Sequence, residues 1–203
     1  MPSWYFKISG AYEPIKADVE SIIQTLREEE IPVDTIGLLV LEGIAKDVEP
    51  ARLIGAIDLE VDRLLWLKGL LKNAGYDAMD PSELAEPLER LSLFLQSGVE
   101  RATIESLFRD EVDLEQVVYA GEALGKIVQF AYGKPEDQMR LANALLDSSV
   151  PPRRYSALAS TVIRGLSTGL SPDRLLDILV EVLASGGGIL QIDQEIRSRG
   201  RAR

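Results

Sequence analysis

The sequence predicts an all-α fold of about ten helices packed as stacked helical hairpins, and three observations carry that prediction. Apolar residues recur at helical spacing through almost the whole chain. Proline, glycine and capping acids separate those stripes in the positions that start and stop helices. Period-2 alternation is missing outside residues 4–8.

Residues 1–13 stand apart from the rest. Trp4, Tyr5, Phe6 and Tyr12 crowd together around Gly10, which reads as an extended aromatic arm. Ile15, Val19, Ile22, Ile23 and Leu26 then mark the first helical face, closed by the charged run Arg27 to Glu30 and by Pro32. Asp34 is placed to cap a second helix carrying Ile36, Leu39, Val40 and Ile44. Pro50 suits the first turn of a third, whose stripe runs from Leu53 to Leu71 and stops at Asn73-Ala74-Gly75.

Asp80-Pro81 reads as the cap and first position of a helix with Leu84, Leu88, Leu91 and Leu95 inside. Pro87 falls within that stripe and predicts a late start or a kink. A short helix follows from about Glu100 to Arg109. Asp113 and Gln116 have capping-box spacing and open a longer one through Val128. Pro135, Pro151-Pro152 and Ser171-Pro172 open the next three, and Gly186-Gly187-Gly188 stops the last of them. Ile189, Ile192 and Ile196 mark a final amphipathic piece. The predicted organisation is an arm over 1–13, one helical-hairpin domain over 14–188, and a short helix with an arginine-rich tail over 189–203.

Two stretches align internally. Residues 41–57 read LEGIAKDVEPARLIGAI and residues 163–179 read IRGLSTGLSPDRLLDIL. Gly43 pairs with Gly165, Val48 with Leu170, Pro50 with Pro172 and Leu53 with Leu175; a weaker third copy runs from Leu95 through Gly98 and Val99 to Ile104. The unit is a helix, a turn centred on an aliphatic side chain, and a second helix. Hairpins of this kind bury together faces that none buries alone. The Glu42–Lys46 and Val48–Leu53 residues resemble a repeat of uncharacterised bacterial all-helical proteins, of the form Glu-Gly-x-Ala-Lys-Gly-Val-Pro-x-Glu-Arg-Leu. Asp47 stands here in place of its glycine, and the proline is displaced to Pro50. The resemblance covers about a tenth of the chain. It implies helical hairpins and no activity.

Composition narrows the chemistry. There is no histidine and no cysteine in 203 residues. A His-based triad, a thiolate nucleophile, a disulfide framework and Cys-ligated zinc or iron–sulfur centres are therefore excluded. A net charge of −11 repels nucleic-acid phosphates. No run of apolar residues is long enough for a membrane span. The start has no signal-peptide shape, so the expectation is a cytoplasmic protein, the alternative being a periplasmic one whose leader is absent from this chain.

Each motif that invites a chemistry also has a structural reading. Gly165-Leu166-Ser167-Thr168-Gly169 matches the nucleophile-elbow pattern, but a helix precedes it where a strand is required. Ser185 to Gly188 suggests a phosphate loop, yet no Lys-Ser/Thr follows; a helix stop and hinge, free to let residues 189–203 swing, is the stronger expectation. Asp110, Glu111, Asp113 and Glu115, and again Asp77, Asp80 and Glu83, sit at predicted helix N-termini, where acids are favoured without any metal. Gly121 and Gly125 are spaced for close helix packing.

What remains as candidate partner-binding residues are the aromatic arm (Trp4, Tyr5, Phe6) and the terminal arginines (Arg197, Arg199, Arg201, Arg203). Aromatics are enriched at interface hot spots, and arginines grip acidic partners or phosphates. The arm has a second reading as a plug on the body. The expectation is a non-enzymatic interaction or scaffolding protein with no catalytic residue, no metal and no cofactor, and another protein as its partner or a second copy in a homo-oligomer. The alternative is a small-molecule or lipid carrier with an apolar cavity between helices. A third reading is a carboxylate-based or magnesium-dependent enzyme.

Overall fold

The structure, a computed structural model, describes residues 1–109, 112–131 and 133–200. It contains ten α-helices and, among the described residues, no strand, as the sequence predicts. The chain falls into two compact units, Met1–Ser92 and Leu93 onward, and the division lies within the fourth helix.

The first unit holds α1 (Lys16–Glu28), α2 (Gly37–Ala45), α3 (Pro50–Leu71) and most of α4 (Pro81–Gln96). Residues 1–15 are not an extended arm, and residues 4–8 are not a strand. They form two 3-10 turns, Ser3–Lys7 and Gly10–Ile15, the first packed on α2 and the second on α1 and α3. The reason lies in the spacing of what they bury. Trp4, Ile8, Tyr12 and Ile15 continue the stripe that Val19, Ile23 and Leu26 carry along α1, and all seven are buried. Pro14 and the positive φ of Gly10 (+62°) keep that stripe from joining α1 as one helix.

Asp34 does not cap α2 through its side chain. It lies in a 3-10 turn, Val33–Ile36, and its carboxylate accepts the Trp4 indole N–H at 3.1 Å. Trp4 lies flat enough on α2 that a side chain at Gly37 would meet its ring at 2.7 Å. Asp80 does take up the predicted capping role, accepting the Ser82 backbone N–H at 2.8 Å. These hydrogen bonds from Ser82, side chain first and backbone second, hold the Asp80 carboxyl below the usual range. α4 begins at Pro81 and includes Pro87, so the late start predicted from Pro87 does not occur. A proline this near the N-terminus withholds a single helical bond, the one to the Glu83 carbonyl. Glu60, 6% exposed, is held by the Arg63 guanidinium at 2.9 Å and by the Ser92 hydroxyl, so its burial is compensated.

The second unit stacks α5 (Arg101–Leu107), α6 (Leu114–Val128), α7 (Pro135–Leu146), α8 (Tyr155–Ser167), α9 (Pro172–Ala184) and α10 (Ile189–Gly200). α6 packs on α7 and α8, α5 and α9 both pack on α7, and α10 packs on α8 and α9. The ring of Phe94 occupies the notch left by Gly121 and Gly125, where a Cβ at Gly121 would meet it at 2.3 Å. Asp113 caps α6, accepting the Gln116 N–H at 2.7 Å. The reciprocal half of the predicted capping box is missing, because the Gln116 amide turns to the Tyr155 hydroxyl and the Leu146 carbonyl instead.

The corners between helices share one backbone frame. After α2, α4 and α9 the residue in the left-handed region is Asp47 (φ 52°), Gly98 (95°) or Gly186 (77°). In each case the next N–H closes on the carbonyl five residues back: Val48 to Gly43, Val99 to Phe94, Gly187 to Val182, at 2.8 to 3.1 Å. Gly169 (87°) occupies the same place after α8, its N–H on the Leu166 carbonyl at 3.0 Å. One cap residue then precedes the next helix, at Pro50, Arg101, Pro172 or Ile189. Four residues into that helix sits a buried aliphatic: Leu53, Ile104, Leu175 or Ile192. At the first and third of these corners a Cβ on Gly43 would strike Leu53, and one on Gly165 would strike Leu175, both at 2.4 Å.

Candidate interaction surface

The three aromatics of the N-terminal segment part company. Trp4 and Tyr5 are 6% and 7% exposed, while Phe6 is 70% exposed. A 3-10 turn directs successive side chains about a third of a circle apart, so three adjacent aromatics cannot all face the body. Trp4 is fixed on Gly37 and Asp34; the Tyr5 hydroxyl reaches Glu20 at 3.4 Å, and Phe6 makes a T-shaped contact with the Tyr5 ring, centroid to centroid 5.8 Å. Burial first and the nearby Glu20 carboxylate second raise the Tyr5 hydroxyl above its ordinary pKa. Trp4 and Tyr5 thus serve as plugs, and Phe6 is the member that reaches solvent.

The same turn packs on α2, and α2 presents a second exposed apolar side chain that the sequence reading passed over. Leu38 is 78% exposed. α2 reads GLLVLEGIA, apolar nearly all the way round, a pattern usual for a helix with neighbours on every side. Here Gly37, Val40 and Gly43 face inward, Leu39, Leu41 and Ile44 are half-buried, and Leu38 faces out. The signal was in the composition of α2: a nine-residue helix with Glu42 as its sole charge has too little polar surface for its outer face.

Of the terminal arginines, Arg197 and Arg199 are taken up within the fold. Arg197 pairs with Asp193 at 2.6 Å, and Arg199 pairs with Glu195 at 3.0 Å and Glu181 at 3.2 Å. Both arginines belong to α10, which packs on α8 and α9 with Ile192 and Ile196 fully buried; Gly186 to Gly188 form the corner before it. Arg201 and Arg203 lie outside the described residues, as do Asp110 and Glu111 of the first acidic cluster. Asp113 of that cluster caps α6 and Glu115 pairs with Arg153 at 3.1 Å. Among the described residues no three acidic side chains converge as ligands for a metal ion. Ser167 ends α8 and donates to the Arg164 carbonyl at 2.7 Å, with no strand before it. A surface depression beside α1 is lined by Met1, Glu20, Gln24, Arg27 and Glu28 among others, a polar lining unsuited to a lipid tail.

No described helix is long and apolar enough to cross a membrane. Comparison with protein-family models, with curated proteins and with solved structures gives no match to this chain.

Proposed function

We propose that this is a non-enzymatic protein-interaction or scaffolding protein, whose docking surface is the first 3-10 turn together with α2. The observation that carries the reading is the exposure of Phe6 and Leu38 on two elements packed against each other. Exposed apolar side chains on adjoining elements mark interaction surfaces, and aromatic anchors dominate interface energies. The hairpin corners at residues 47–50, 98–101 and 169–172 are read as copies of one unit, like the bacterial helical repeat that residues 42–53 resemble. In this reading the repeated hairpins are the frame and the α2 surface is the working face.

Photo-crosslinking tests it. A photoreactive phenylalanine analogue at position 6 or 38, in cells that naturally carry the protein, is expected to give one discrete protein adduct. The same analogue at exposed Glu105 on α5 is expected to give none. Adducts of equal yield at all three positions, or at none, would sink the proposal.

A further inference from the structure

We infer that the partner segment received by the Phe6–Leu38 surface is basic and amphipathic; the inference rests on the interaction reading above and adds the partner's chemistry. Charge is divided unevenly between the two units. Residues 1–92 hold nine Lys and Arg against eighteen Asp and Glu, net −9. Residues 93–203 hold thirteen against fifteen, net −2. Phe6 and Leu38 therefore lie on the strongly acidic unit.

The elements that carry them repeat this bias. Exposed acids stand close to the two side chains in the chain and on α1: Glu20, whose carboxylate accepts from the Tyr5 hydroxyl; Asp34, four residues before Leu38; Glu42, four residues after it; and Asp47 and Glu49 at the following corner. The basic side chains on these elements are Lys7, Lys16, Arg27 and Lys46. Lys46 pairs with Glu42 and Lys16 with Glu13, so these pairs add no net charge and the negative surplus rests on Glu20, Asp34, Asp47 and Glu49.

A partner that sets apolar side chains on Phe6 and Leu38 must bring its flanking charges against these carboxylates. Opposite charge there speeds encounter and fixes register, whereas like charge at an interface rim disfavours docking. Anionic membranes, nucleic acids and a second copy of this −11 chain all bring the wrong sign. An amphipathic helix with an apolar stripe edged by lysine and arginine supplies both parts.

The test titrates the full chain, labelled for amide NMR, with two synthetic helical peptides that share one leucine face. One carries lysine on its polar face and the other glutamate. The lysine peptide is expected to shift amides of residues 4–7 and 34–46, and to bind at least about tenfold more tightly than its glutamate twin. Phe6→Ser and Leu38→Ser are each expected to weaken that binding about tenfold while leaving the rest of the spectrum in place. Shifts centred elsewhere, no binding, or binding indifferent to both substitutions would overturn the inference. Equal affinity for the two peptides, lost in both variants, would overturn the basic partner alone and leave the docking surface standing. Failure of the crosslinking experiment would remove both.

Discussion

At the scale of single residues, glycine decides how close the helices of a corner approach. Gly165 and Gly55 both lie inside helices, but their surroundings are opposite. A Cβ at Gly165 would meet fully buried Leu175 at 2.4 Å and Ile196 at 3.3 Å, while one at Gly55 meets nothing within 4 Å. Gly165→Ala is therefore expected to destabilise by about 1–3 kcal/mol, the usual range for overpacking. Gly55→Ala is expected to stabilise by up to about 1 kcal/mol, since alanine is the better helix former. Urea unfolding midpoints decide both signs. The alignment that pairs Gly43 with Gly165 and Leu53 with Leu175 was legible in the sequence; that these glycines touch those leucines was not, because contact across a corner depends on the turn geometry. Tyrosine ionisation gives a second residue-scale test. Burial, followed by Asp47, raises the Tyr12 hydroxyl above its ordinary pKa, and its O–H lies 3.5 Å from the Gly43 carbonyl. A raised acid favours the fold in its protonated form. That stability is present below pH 10 and is lost as pH rises through the raised value. Tyr5 acts in the same direction. Phenylalanine at both positions is expected to flatten the alkaline limb of the stability curve, measured by urea unfolding at successive pH values; an unaltered limb would refute the assignment.

Among the elements, proline and capping residues made the starts of α3, α4, α6, α7 and α9 readable, because these signals act on the backbone beside them. The N-terminal segment was misread because its helical spacing of buried residues is broken by Gly10 and Pro14, and local breakers masked a tertiary pattern. The last helix is legible from Ile189, Ile192 and Ile196, but Arg197 and Arg199 read as tail because their partners, Asp193 and Glu195 on α10 and Glu181 on α9, show only in the fold. In the fold, Asp193 receives Arg197 from its own helix and Arg164 from α8 at 3.2 Å, with its side chain 16% exposed. Removing a partner from such a partly buried pair leaves the remaining charges poorly compensated. Asp193→Asn is expected to raise hydrogen exchange across residues 189–200 at least severalfold, with exchange in α6 and α7 unchanged. Equal rates in both proteins would show that Ile192 and Ile196 alone hold the helix.

For the whole molecule, class and helix number were legible because they follow from periodicity and punctuation over the entire chain. The candidate surface was legible only in part. Phe6 was singled out together with two neighbours that turned out to be plugs, and Leu38 was hidden inside a run of apolar residues that looked like core. Exposure is a property of how elements pack, so the sequence could nominate the segment but not choose its outward member. The division of charge was readable in composition once the unit boundary was known, and it gives the surface its expected partner. Histidine and cysteine are absent, Ser167 is engaged by its own helix, and the described acids of both clusters cap helices, pair with arginine or sit exposed. The central claim is thus that Phe6 and Leu38 serve binding and not folding. The most direct measurement joins two readings on Phe6→Ser/Leu38→Ser: the urea midpoint, and the yield of partner adduct from a photoreactive residue at Leu41. The account predicts an unchanged midpoint and a lost adduct. A lowered midpoint with the adduct retained would contradict it, returning both side chains to the service of the fold.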